Sequence, residues 1–230
     1  MRAAVINSFG GPEVLRIVDV DTPEPRRGQV RVRIEAAAVN PVDLATAAGV
    51  MHQVGNAPER AETGLGWDLA GTVDAVGPEV TGYAVGDRVI GILDRVGAPR
   101  GSFAEYAIAD TGQLATAPVT ATPLAASTIP LPGLTAWQAL AALDLKPGQT
   151  LFVSGAAGTL GAFTVQLAAA RGIDVVAQGG EDDEAFLRAL GAAHVVTRGE
   201  DAGEAVRAIY PSGVDGAVDA AVIGIAALDT

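Results

Sequence analysis

The chain has 230 residues, 49% of them apolar, with a formal net charge of −12. That is ample for a core in one large or two small domains, and the acidic balance argues against nucleic acid or an anionic membrane as partner. With no cysteine, disulfides, cysteine-ligated zinc, iron–sulfur clusters and thiol catalysis are excluded.

Ala3 to Ile6 reads as a short strand, and Phe9-Gly10-Gly11-Pro12 as a turn. Val14 to Val20 alternates apolar and polar, as a half-buried strand does. A proline-rich connection, Thr22 to Gly28, leads to Gln29–Ala38, the clearest strand of this half. There Val30, Val32 and Ile34 point one way and Arg31, Arg33 and Glu35 the other. Asn40 stands as a cap before Pro41 and a short helix. Met51 to Leu65 has no periodicity and reads as a loop. Ala70–Val76, Arg88–Leu93 and Ser102–Ile108 read as three more strands between glycine turns. Many short strands with turn signals predict an antiparallel, barrel-like domain. The opening residues are too short an apolar run for a signal peptide, and no stretch of about 18 apolar residues suggests a membrane span. The expected location is cytoplasmic.

The grammar changes near residue 120. Pro123–Ile129 and Pro132–Leu143 read as helices. Strands and helices then alternate: strand 150–154, helix 159–171, strand 173–178, helix 181–190, strand 194–197, helix 202–209, strand 215–221. This predicts a parallel, doubly wound sheet. The expected domains are 1–120 and 121–230. Four strands fall short of the usual six of a dinucleotide-binding sheet, so the second domain is expected to be incomplete.

The stretch Thr150 to Gly172 organises this half. A buried strand leads into Gly155-Ala156-Ala157-Gly158-Thr159-Leu160-Gly161 and then an alanine-rich helix. In that context a glycine fingerprint points to dinucleotide binding, although its spacing is G-x-x-G-x-x-G. Gly155 permits the turn, Gly158 lets backbone approach a pyrophosphate, and Gly161 lets helix and strand pack closely. The helix N-terminus offers free N–H groups to the phosphates.

Further landmarks stand in order along the chain: Phe9-Gly10-Gly11-Pro12-Glu13-Val14-Leu15, Val39-Asn40-Pro41-Val42-Asp43, Gly66-Trp67-Asp68-Leu69-Ala70-Gly71-Thr72-Val73, Val85-Gly86-Asp87-Arg88-Val89, Gly133-Leu134-Thr135-Ala136 and Leu190-Gly191-Ala192. With the glycine turn, these make the whole chain resemble the zinc-independent, zeta-crystallin-like quinone oxidoreductase branch of the medium-chain dehydrogenase/reductase superfamily. The resemblance implies a GroES-like β-barrel domain followed by a Rossmann domain. It also implies NADPH-dependent hydride transfer to a quinone or α,β-unsaturated carbonyl. It suggests a homodimer, whose usual interface strand would lie past residue 230. An enoyl reductase shares this chemistry. The rival from another class is a non-catalytic nucleotide-binding protein, either a redox sensor or an inactive truncated form.

Zinc-dependent relatives place a cysteine where this chain has Asn40 and a histidine where it has Trp67, so no metal is expected. The two histidines, His52 and His194, are read as a loop residue and a packing residue, and Tyr83 and Tyr106 as packing residues. Without a Lewis acid, hydride transfer rests on positioning an acceptor that is already electron-poor. The resemblance places Asn40, Pro41 and Asp43 by the nicotinamide, with Asn40 and Asp43 as the catalytic candidates. It places Thr135 and Val222 against the cofactor. Each has a plainer alternative: Asn40 and Thr135 as helix caps, Asp43 as a first-turn charge. At the end of the second strand an NAD site usually carries an acid; this chain has Gln178 and Gly179. By the same resemblance Arg198 offers a cation to a 2′-phosphate; the alternative is an ordinary surface arginine. The acidic run Glu181-Asp182-Asp183-Glu184 opposes the phosphate, with Asp183 where relatives carry a lysine; its plainer reading is favourable charge at a helix start. The balance leans to NADP, with NAD as the alternative.

Overall fold

The computed structural model describes residues 1–58, 60–199 and 201–224. They fall into two compact units, Met1–Leu131 and Pro132–Thr230.

In the first unit, strands β1 (Arg2–Ile6), β2 (Arg16–Asp19) and β4 (Thr63–Gly64) form one antiparallel sheet in the order β2-β1-β4. Strands β3 (Gln29–Ala36), β5 (Asp68–Val76), β6 (Arg88–Ile92), β7 (Tyr106–Asp110) and β8 (Leu114–Thr116) form a second, in the order β7-β3-β5-β6-β8. The second sheet curls into a GroES-like half-barrel. Its interior is packed by Val30, Val32, Leu69, Val73, Val89 and Ala109, the inward half of the alternation read from β3. Three short helices complete the unit: α1 (Pro41–Ala47), α2 (Val50–Gln53) and α3 (Pro123–Ala126).

The sequence reading missed three features here. The presumed loop 51–65 contains α2 and β4; one helical turn and a two-residue strand are too short to show a period. The strand expected at Ser102–Ile108 begins at Tyr106, because the chain changes sheets. Residues 102–105 run along β1, with Ala4 N donating to Phe103 O and Glu105 N to Arg2 O, before β7 pairs with β3. The three-residue β8 carried no signal of its own.

Helix α4 (Pro130–Leu143) carries prolines in its first turn, where the missing N–H has no partner to lose. Beyond it, β9 (Thr150–Ser154), β10 (Asp174–Gly179), β11 (His194–Thr197) and β12 (Gly216–Asp219) make a parallel sheet in the order β11-β10-β9-β12. The interleaved helices are α5 (Thr159–Ala170), α6 (Glu184–Ala189) and α7 (Ala202–Ile209).

Period-2 geometry sorts the strand residues between two buried layers. Leu151, Val153, Val175 and Ala177 pack with Leu140 of α4, Val165 of α5 and Leu187 of α6. Phe152, Val176 and Val196 face the other way, against Ala202 and Val206 of α7. Helices on both faces make this a Rossmann-type doubly wound sheet. The expected helix 181–190 is divided into a single tight turn, Glu181–Asp183, and α6.

Candidate functional site: a dinucleotide cleft and an Asn40 cluster

In the second unit, the turn between β9 and α5 is built as its glycines require. Gly155 has φ +55°, and a Cβ there would stand 2.9 Å from the Ala221 Cβ. A Cβ on Gly161 would lie 2.4 Å from Gly155 O and 2.6 Å from Ala156 Cα, so only glycine lets α5 seat against the turn. A Cβ on Gly158 would meet just Gly155 O, at 3.2 Å, and its backbone conformation is unstrained. Packing therefore demands Gly161 far more than Gly158. What Gly158 does leave is an open surface.

That surface is the floor of a cleft of about 450 Å³. Gly155, Ala157 and Gly158 line it below, Gln178 and Gly179 at the end of β10, and Arg198 at the end of β11. Ala156 is fully buried beneath. Thr159, Leu160 and Gly161 form the first turn of α5. Arg198 N donates to Gly179 O at 2.6 Å. A Cβ on Gly180 would stand 3.4 Å from a guanidinium nitrogen of Arg198, which places the cation over the end of β10.

The acidic run is less of an obstacle than its composition suggests. Of its four carboxylates only Asp183 lines the cleft. Asp183 Oδ2 accepts the Gly180 N–H at 2.7 Å, and Glu184 pairs with Arg188 at 2.9 Å. The sequence reading missed Arg207, on α7, which also lines the cleft. It also missed Asp219, whose carboxylate organises the loop after β12. Asp219 accepts from Ser154 Oγ at 2.5 Å and from the backbone N–H groups of Ala221, Ile223 and Gly224. Burial pushes the Asp219 carboxyl up, but these donors together hold it below its ordinary value. Within that loop Val222 is exposed at φ +57°, a strained conformation for a β-branched residue. Val222 itself does not line the cleft; its neighbours Ala221 and Ile223 do.

The first unit holds the Asn40 cluster. Asn40 does not cap α1 with its side chain. Its Nδ2 donates to Asp68 Oδ2 at 2.9 Å. Asp68 Oδ1 accepts the Leu131 N–H, at the start of α4, at 2.8 Å. Asp43 accepts from Asn40 N and Gly66 N, both at 2.8 Å. Asp43 and Asp68 are buried, at 2% and 0% exposure. Burial raises both carboxyls, against the hydrogen bonds that pull them down; Asp68, with Asp43 also adding like charge, is pushed up to about 6. Asp68 was not singled out from sequence. Its signal was an acid standing directly before the apolar run Leu69-Ala70-Gly71.

Asp68 makes a test possible. A folded-state value above the unfolded one stabilises the fold below about pH 4, and this contribution is lost as pH rises through about 6. The expected size is about 3 kcal/mol. Denaturant titrations of the wild type and Asp68→Asn at pH 4 and pH 7 should show the wild type losing that much more stability than the variant.

Pro41 is the first residue of α1. Thr135 lies inside α4, on its exposed side, and so is not the N-cap of that helix. Trp67 borders a smaller cavity of about 210 Å³ together with Asp43 and Tyr106. His52 stacks on Phe9 with ring centroids 5.4 Å apart, and its Nδ1 is 3.2 Å from Ala57 O. His194 meets Tyr210 edge-on, and Tyr83 donates to Leu114 O at 2.8 Å. Among the described residues no helix is long and apolar enough to cross a membrane, and no group of three or more His, Cys, Asp and Glu residues could hold a metal.

Residues 26–119 match the alcohol dehydrogenase GroES-like domain. A quinone oxidoreductase from Mus musculus is 31% identical over 204 residues, covering 88% of this chain and 59% of its own. A mycobacterial protein whose structure was solved in complex with NADPH is 31% identical with a TM-score of 0.80, over 94% of this chain and 66% of its own. A structure described as an NAD-dependent alcohol dehydrogenase is 32% identical with a TM-score of 0.88, over 100% of this chain and 74% of its own. The chain belongs to the zeta-crystallin-like quinone oxidoreductase branch of the medium-chain dehydrogenase/reductase superfamily.

Curated relatives it matches are named as quinone oxidoreductases, and one solved neighbour was captured with NADPH. The glycine cradle and the cleft above it fit such a dinucleotide, since the turn, its close helix packing and the open backbone at Gly158 are all present. The chain spans 59% of the mouse quinone oxidoreductase.

Proposed function

We propose that this chain carries the activity of a zinc-independent, NADPH-dependent reductase of quinones or α,β-unsaturated carbonyls. The observation that carries the reading is the cleft over Gly155–Gly158, with Arg198 standing across the end of β10. When bound, the nicotinamide supplies a hydride. The protein's own residues bind and orient. Backbone N–H groups of the glycine turn and the first turn of α5 hold the pyrophosphate. Gln178, a neutral residue at the end of β10, leaves room beside the ribose without repelling a phosphate. Arg198 supplies the charge for a 2′-phosphate. Asn40 and Asp43 belong to the nicotinamide end, as the family resemblance implies. Asn40 hydrogen-bonds Asp68 where zinc-dependent relatives carry a thiolate, and Trp67 brings no imidazole. The chemistry therefore rests on holding an acceptor whose own carbonyls take up the negative charge. We place it in the cytoplasm as a homodimer.

The test pairs binding with turnover. NADPH fluorescence should report a saturable site, and nicotinamide absorbance should fall with a panel of quinones and enones. Arg198→Ala should weaken NADPH roughly tenfold to a hundredfold, the loss of charge-assisted hydrogen bonds, while leaving NADH binding unchanged. Equal losses for both nucleotides would overturn the NADP assignment. Tight binding with no turnover on any acceptor would favour a nucleotide-binding protein without catalysis.

A further inference from the structure

We propose that Asp68 is a positioning residue that sets which end of the Asn40 amide faces away from it: the carbonyl oxygen when Asp68 is ionised, the amino group when Asp68 is protonated. An ionised carboxylate only accepts, so the Asn40 atom 2.9 Å from Asp68 Oδ2 must be Nδ2. The other carboxylate oxygen, Oδ1, is held by the backbone N–H of Leu131 at 2.8 Å. A backbone N–H cannot reverse its polarity. A side-chain amide can, by half a turn about its last torsion. A proton arriving from solvent therefore settles on Oδ2, where it becomes a donor facing a donor. The contact is restored when Asn40 turns and offers Oδ1 to the new O–H.

The surroundings make this proton available near neutral pH. Asp68 is fully buried. On β6 its register partner is Ile92, and on β3 the last pair is Ala36 with Ala70. The segments Pro123–Ala126 and Pro130–Leu143 carry no ionisable side chain. The charged group that reaches Asp68 is Asp43 of α1, which favours the protonated form.

The consequence for the reaction rests on the reading that Asn40 stands at the nicotinamide end. With Asp68 ionised, Asn40 presents an acceptor suited to a carboxamide N–H or a hydroxyl. With Asp68 protonated, it presents a donor suited to a carbonyl oxygen. One residue would thus read opposite hydrogen-bonding partners on the two sides of one titration.

The experiment needs neither nucleotide nor turnover, so its failure is separate from failure of the functional reading. In ¹⁵N- and ¹³C-labelled full chain, the Asn40 side-chain NH₂ signals are identified by their loss in Asn40→Ala. Between pH 5 and 8 they should shift together with the Asp68 carboxyl carbon, with one midpoint near 6. In Asp68→Asn the Asn40 signals should stay flat. The proposal is overturned if the Asp68 carbon titrates while Asn40 stays still, if Asp68 does not titrate in this range, or if Asn40 titrates unchanged in the variant. Should the variant not fold, the paired titration in the wild type decides alone.

Discussion

Gly161→Ala should destabilise the second unit and weaken dinucleotide binding, whereas Gly158→Ala should weaken binding alone. The new methyl at position 161 would stand 2.4 Å from Gly155 O and 2.6 Å from Ala156 Cα. Both are backbone atoms of the same turn, and neither can rotate aside. Helix α5 must lift, and with it Val165 and Ala168 leave a layer they share with Leu151, Val153 and Ala177. Overpacking of this kind costs about 3 kcal/mol, and for a chain of this size each kcal/mol lowers the midpoint by about 3 °C. A thermal melt should therefore fall by about 9 °C, and NADPH affinity by more than tenfold as the helix N-terminus moves. At position 158 the methyl meets just Gly155 O, at 3.2 Å, so the melt should shift by a degree or two. If a pyrophosphate approaches the backbone there, the methyl occupies its place and affinity should fall about as far as in the first variant. Unchanged NADPH binding by a folded Gly158→Ala protein would remove the cleft from the cofactor argument.

That contrast also shows what a sequence can carry. Local chemistry was readable: β9 and β11 fall where their apolar runs put them, and α7 begins after Asp201, which accepts the Glu204 N–H as a helix cap should. The role of Gly161 followed from the strand–turn–helix context. The cleft's cations were half legible. Arg198 follows a strand end, where ligands bind in such sheets; Arg207 sits in the last turn of α7, and its approach depends on how that helix lies over β11. Asp68 was hidden for a different reason. Its partners, Asn40 and Leu131, are 28 and 63 residues away, and only the closed fold brings an amide and a helix start to one carboxylate. Asp183 admitted two readings in sequence, a charge opposing a phosphate or a helix-start charge; its carboxylate accepts the neighbouring Gly180 N–H while the residue also lines the cleft.

Asp43 offers the sharpest separation of two readings that sequence left side by side. As a catalytic group it would be removed with little effect on folding. The structure gives its carboxylate other work: both oxygens accept backbone N–H groups, one from Asn40 at the start of α1 and one from Gly66 just before β5. Asp43→Ala strands both donors in a site that is 2% exposed. Each stranded N–H costs about 2 kcal/mol, for a total of about 4, less what is recovered because burial disfavours the charge to begin with. Asp43→Asn keeps one acceptor and turns an amino group toward the other N–H, so it should fall between. Urea titrations at pH 7 should order the three proteins as wild type, then Asn, then Ala. The loss should extend to the Asn40 cluster, because the same N–H that Asp43 holds belongs to the residue whose side chain engages Asp68. A folded Asp43→Ala protein of wild-type stability that reduces no quinone would return the residue to catalysis; an unstable protein whose remaining folded fraction still turns over would make it a structural tie.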